Sequence, residues 1–171
     1  MLELLVSEYR PVVQNVLAYA ICLAALVWGA GPERAIALAW LLLFEAVPGI
    51  YKTFWGARFQ LEEVDILFAS LDLCAGAFWL IVALNANRNY PLVIAALQLL
   101  VISAHIARGL IDAISPVAYA AMVMAPGWLQ LLLLGAGLVR HVLRERTYGP
   151  YREWRVPVRW YGLRPIRQKR V

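Results

Sequence analysis

The sequence predicts an all-α, polytopic integral membrane protein: a bundle of about five transmembrane helices, N-terminus outside and C-terminus in the cytoplasm. Three observations carry this. The 171-residue chain is 63% apolar and 16% charged, with a mean hydropathy of +0.66, whereas a soluble domain has roughly 45–50% apolar and about 25% charged residues. The apolar residues fall into five stretches, at about 12–28, 34–51, 64–84, 90–111 and 116–142. Each approaches or exceeds the ~20 residues a helix needs to cross a ~30 Å hydrocarbon layer. Leu and Ala dominate, and no period-two alternation runs through the stretches, which favours helices over a barrel.

The elements follow in order. Glu3 and Glu8 against a single Arg10 make a poor signal-peptide n-region, so the first stretch reads as a retained span opened by Pro11. Gly29–Pro32 closes it into a tight hairpin, with Pro32 and Glu33 suited to the first turn of the second helix. Glu45 stands just before Pro48-Gly49, where a break would free backbone carbonyls beside a carboxylate. Lys52–Glu63 mixes Phe54, Trp55 and Phe59 with Lys52, Arg58 and Gln60, the pattern of an interfacial loop. Acidic Glu62, Glu63 and Asp65 precede the third span, Asn85–Asn89 forms a turn, Pro91 begins the fourth span, and Ser115-Pro116 separates fourth from fifth. Connections this short make consecutive helices antiparallel neighbours. Residues 1–143 are expected to form the bundle and 144–171 a basic, aromatic tail.

Charge sets the orientation. Arg34, Arg88 and the ten Lys/Arg from Arg140 onward share one side, twelve in all, against Arg10, Lys52, Arg58 and Arg108 on the other. The excess places the tail in the cytoplasm of a cell (inner) membrane. Tyr9, Tyr51 and Tyr119 would anchor the outer interface, and Trp28, Tyr90 and Tyr148 the inner one.

The polar residues inside the spans gather in the outer half. Glu45, Asp72, Gln98, His105 and Arg108 are costly in hydrocarbon, so each asks for a partner or a function. Gln98, His105 and Asp112 are spaced by seven, and Arg108 follows His105 by three, which puts all four on one helix face. Glu62, Asp65 and Asp72 share a face of the preceding helix in the same way. An Arg108–Asp72 or Arg108–Asp65 ion pair is therefore expected. The inner halves carry no ionisable residue, which counts against a conduction path.

Three readings of this cluster arise: a hydrogen-bond network fixing helix register, a binding or catalytic site, or a proton or ion relay. His105 and His141 are the only histidines and fall near opposite faces, so neither a metal site nor a bis-histidine haem is expected, and no cofactor is assigned. Cys22 and Cys74 read as small packing residues.

The tail carries Arg144, Arg146, Arg152, Trp154, Arg155, Arg159 and Trp160 as candidate contacts to anionic lipid headgroups or to a partner. Nucleic acid is disfavoured, since charge alone points to it. The chain thus reads as a non-catalytic subunit or assembly factor of a larger membrane complex, with a membrane protein partner or a second copy of itself. The alternatives are a small oligomeric transporter or channel with its site at Glu45, Asp72, His105 and Arg108, and a membrane-embedded enzyme acting on lipid or quinone, with Glu45, Asp72 and His105 as acid–base candidates.

Overall fold

A computed structural model describes residues 10–55, 66–111 and 113–155. These are helical almost throughout, and among them no strand is formed beyond one isolated bridge. Helix α1 is Arg10–Trp28, α2 is Gly31–Trp40, a π-helical turn spans Leu41–Ala46, and α3 is Val47–Trp55. Then follow α4 (Ile66–Asn85), α5 (Tyr90–Leu110) and α6 (Pro116–Tyr148). The run Gly31–Phe54 and helices α4, α5 and α6 are long and apolar enough to cross a membrane, and Val13–Trp28 is a shorter apolar helix.

The second span shows how local chemistry is accommodated. Proline has no N–H, and in α-register its ring would press on the carbonyl four residues back, here Phe44. The chain does not break at Pro48. It widens into the π turn, in which the Val47 amide bonds the Leu42 carbonyl, and continues as helix to Trp55. Residues 52–55, expected in an interfacial loop, are thus helical, and the rest of that loop lies outside the described residues. Helix α6 likewise passes through Pro126 and runs past the expected boundary at 143 to Tyr148.

The helices close on one another, α5 packing between α4 and α6, and α1 against α2 and α6. Their shared core includes Ala18, Cys22 and Ala25 of α1, Ala75, Trp79 and Ala83 of α4, and Leu131, Leu134 and Leu138 of α6. Small residues at these contacts let the backbones approach, the usual solution where lipid on the outside is as apolar as the core. The outward faces carry Leu23, Val27, Ile81, Leu84, Leu99, Leu100, Leu132 and Val139, all exposed. In water that would be an apolar patch far larger than a soluble protein tolerates, so these faces belong in hydrocarbon.

After α6 the chain reverses. Gly149, at φ +79°, caps the helix with its amide on the Glu145 carbonyl; glycine reaches this left-handed region without a Cβ clash. Residues 151–155 then fold back onto the α4–α5 turn. The Asn87 amide bonds the Glu153 carbonyl at 3.0 Å and the Arg155 amide bonds the Asn85 carbonyl at 2.7 Å, forming an antiparallel bridge at Ala86 and Trp154.

Candidate functional site

Asp72 of α4 is the node of the first polar site. Its Oδ1 accepts from Gln98 Nε2 at 2.7 Å and its Oδ2 lies 2.8 Å from His105 Nε2. The other ring nitrogen, His105 Nδ1, is 2.8 Å from the Tyr119 hydroxyl. Gln98 in turn accepts through Oε1 from Gln130 Nε2 at 2.9 Å, and Gln130 reaches the Ile94 carbonyl at 3.4 Å. The chain Tyr119–His105–Asp72–Gln98–Gln130 thus ties α4, α5 and α6 together, and all five residues are buried. Seven-residue spacing puts Gln98 and His105 on one face of α5, so a single carboxylate on α4 can take both. With both ring nitrogens and both carboxylate oxygens partnered, ring orientation and helix register are fixed together.

The expected Arg108–Asp72 pair is not the one formed. His105 and Gln98 occupy the carboxylate, and Arg108 donates to the Ile114 carbonyl in the α5–α6 connection. His105 and Gln98 lie three and ten residues before Arg108 on α5, nearer its middle, and reach Asp72 with less extension than an arginine at the helix end. The alternative Arg108–Asp65 pairing, and Asp112, lie outside the described residues.

Beside this chain is a cavity of about 280 Å³. Asp72, Gln98 and Gln130 line one part of it, Glu45, Gln14 and Asn15 contribute further polar groups, and Trp40 and Phe44 supply aromatic surface. Trp40 and Phe44 are part of an aromatic stack, with Trp40 5.6 Å from Trp79 and 5.1 Å from Phe44. Glu45, on the π turn, has Tyr19 of α1 within hydrogen-bonding reach. His105 stands behind Asp72 and does not line the cavity. Among the described residues no group of three or more His, Cys, Asp or Glu side chains converges as metal ligands would.

A second polar site lies at the other end of the bundle, where the spacing pattern gave no sign of one. Glu33, in the first turn of α2, has a fully buried side chain paired with Arg88 of the α4–α5 turn. The Tyr90 hydroxyl donates to the same carboxylate oxygen at 2.9 Å. Arg88 Nη2 lies 3.2 Å from His141 Nδ1, and the Tyr151 hydroxyl is 3.0 Å from that nitrogen. A guanidinium can only donate, so Nδ1 accepts and the ring proton sits on Nε2, facing Glu145 at 3.5 Å. The guanidiniums of Arg88 and Arg144 lie 5.2 and 4.2 Å from the Tyr151 ring centroid, within cation–π range. Glu153 Oε2 accepts from the Gly31 amide at 2.8 Å.

The described part of the tail is engaged by the bundle, and Tyr119 is not where it was expected. Trp154 lies against Gly31, where a Cβ would run into its indole ring. The backbone of Arg152 and Arg155 is bonded to the 85–87 turn. Arg144 and Arg146 belong to α6, and Arg159 and Trp160 lie outside the described residues. Tyr119, expected at the interface, is 1% exposed and bonded to His105. Tyr119 had no sequence signal, because it meets His105 across a helix connection. Glu33 had one: an acidic hairpin and an arginine-bearing turn on the same side of the bundle. No family model, curated protein or solved structure matches this chain, so its functional reading rests on geometry.

Proposed function

We propose that the chain is a non-catalytic integral membrane protein, a subunit or assembly factor of a larger membrane complex, inserted with its C-terminus in the cytoplasm of a cell (inner) membrane. One observation supports this most: in the Tyr119–His105–Asp72–Gln98–Gln130 chain, both carboxylate oxygens and both imidazole nitrogens are already engaged by the bundle. Neither His105 nor Tyr119 lines the neighbouring cavity, so this pair has no surface there at which to meet a substrate as acid or base; a register-fixing network needs none. Conduction is disfavoured on separate grounds. Gln130 and His141, the inward ends of the two polar sites on α6, are eleven residues apart, about 16 Å at helical rise. Buried Leu131, Leu134 and Leu138 fill that interval.

A second reading draws on the cavity: a small amphipathic ligand, such as a quinone or lipid headgroup, held against Glu45, Gln14 and Asn15. The two readings separate on extraction of tagged protein from native membranes in mild detergent. If the chain is an accessory subunit, it migrates in an assembly larger than itself, Asp72→Leu depletes that assembly, and Glu45→Gln leaves assembly and host-cell phenotype unchanged. Normal assembly with lost phenotype in Glu45→Gln would overturn the accessory reading in favour of ligand binding.

A further inference from the structure

At the end of the bundle that holds Glu33, a pocket of about 420 Å³ is lined by Arg88, Arg140, His141, Arg144, Asn87 and Tyr151, among others. Arg88 is neutralised by Glu33. Among the described residues neither Arg140 nor Arg144 has a carboxylate within ion-pair distance. Two acidic side chains stand nearby, Glu145 facing His141 and Glu153 bonded to the Gly31 amide, but neither lines the pocket, whose charged wall residues are Arg88, Arg140 and Arg144. Arg144 is held over the Tyr151 ring, which limits the freedom its guanidinium would otherwise lose on binding.

The pocket also continues sideways. Ala136, Arg140, Arg144 and Tyr151 belong at once to it and to an open groove along α6 that adds Val139, Leu143 and Tyr148. Val139, Leu143 and Tyr148 are exposed on the outward face of the helix, where lipid chains run. Polar chamber and apolar groove therefore meet at two guanidiniums.

We infer that this is a binding site for an anionic phospholipid, its phosphate held by Arg140 and Arg144 and its acyl chain lying along Val139 and Leu143. Guanidinium forks match phosphate oxygens in charge and geometry. A basic pocket between spans is the usual form of a headgroup site, and on the proposed orientation it faces the leaflet rich in anionic lipid. The groove distinguishes a lipid from a soluble phosphate, which would have no use for it. The inference does not depend on the accessory reading, which rests on the opposite end of the bundle.

The test uses the full chain, purified in mild detergent and washed free of lipid, with binding read by native mass spectrometry and thermal shift. The probes are phosphatidylglycerol, phosphatidylcholine and inorganic phosphate. Phosphatidylglycerol is expected to bind at least about tenfold more tightly than phosphatidylcholine, and inorganic phosphate to give no shift. Arg140→Gln with Arg144→Gln should weaken phosphatidylglycerol binding by roughly tenfold or more, from the loss of two basic groups near the surface. Arg146→Gln with Arg152→Gln, which removes equal charge from side chains outside the pocket, should change it less than threefold. Equal losses in the two double variants, equal binding of phosphatidylcholine, or a shift from phosphate alone matching that from the lipid would each overturn the assignment.

Discussion

Glu33 and Arg88 lie fifty-five residues apart in sequence and form an ion pair whose carboxylate side chain is 0% exposed and whose guanidinium side chain is 9% exposed. Such a pair is costly to desolvate, and removing one member leaves the other charge buried alone. Either Glu33→Gln or Arg88→Met should therefore cost about 3–5 kcal/mol, and the double variant should recover part of that. Unfolding of the detergent-solubilised protein measures both. Additive losses in the double variant would show that the two residues act independently.

The Asp72–His105 contact gives a second expectation. Tyr119→Phe deletes one hydrogen bond while keeping the ring and should cost about 1 kcal/mol, near the average for polar contacts between membrane helices. His105→Phe removes the contacts of both ring nitrogens, to Asp72 Oδ2 and to Tyr119, and should cost more than that. In the His105→Phe background the cost of Tyr119→Phe should be smaller than in the parent, because the His105–Tyr119 bond is already gone. A double-mutant cycle on unfolding free energies checks this.

Gly31 tests the folded-back segment. Its replacement by Val would place side-chain atoms where the Trp154 indole and the Glu153 carboxylate now sit, and should release residues 151–155. Trypsin cleavage after Arg152 and Arg155 should then be roughly tenfold faster, since cleavage follows the population of the locally open form. Unchanged cleavage would show that Trp154 is not held by this contact.

Pro48 bears on the π turn. With Ala at 48 an α-register would bring no ring against the Phe44 carbonyl, and position 48 gains a donor. Amide exchange over residues 44–52 should slow as the segment returns to α-register. Stability should rise or stay within about 1 kcal/mol. Exchange as fast as in the parent would assign the π turn to the packing of Leu41–Ala46 instead.

The fold was legible because lipid imposes one rule that a sequence cannot hide, namely long apolar runs bounded by Pro, Gly and charge. The 90–111 and 116–142 stretches match α5 and most of α6 on that rule alone. The Gln98–His105 face was also readable, as it depends only on helical period. Its partner was not. Whether Asp72 meets Arg108 or His105 depends on relative depth and on side-chain reach, which spacing within one helix does not contain. Tyr119 and Gln130 join through contacts between helices, and the return of residues 151–155 uses backbone hydrogen bonds that leave no mark on residue identity.

The bond between the Gly31 amide and Glu153 has a consequence in time. Its two ends are 122 residues apart, and at about 5–20 residues per second a ribosome needs on the order of 6–24 s to deliver the second after the first. In roughly the second half of that interval, once Arg88 has been made, Glu33 and Arg88 can meet while the strap across them is still unmade. The nascent bundle therefore carries one face that matures only after every helix has been inserted.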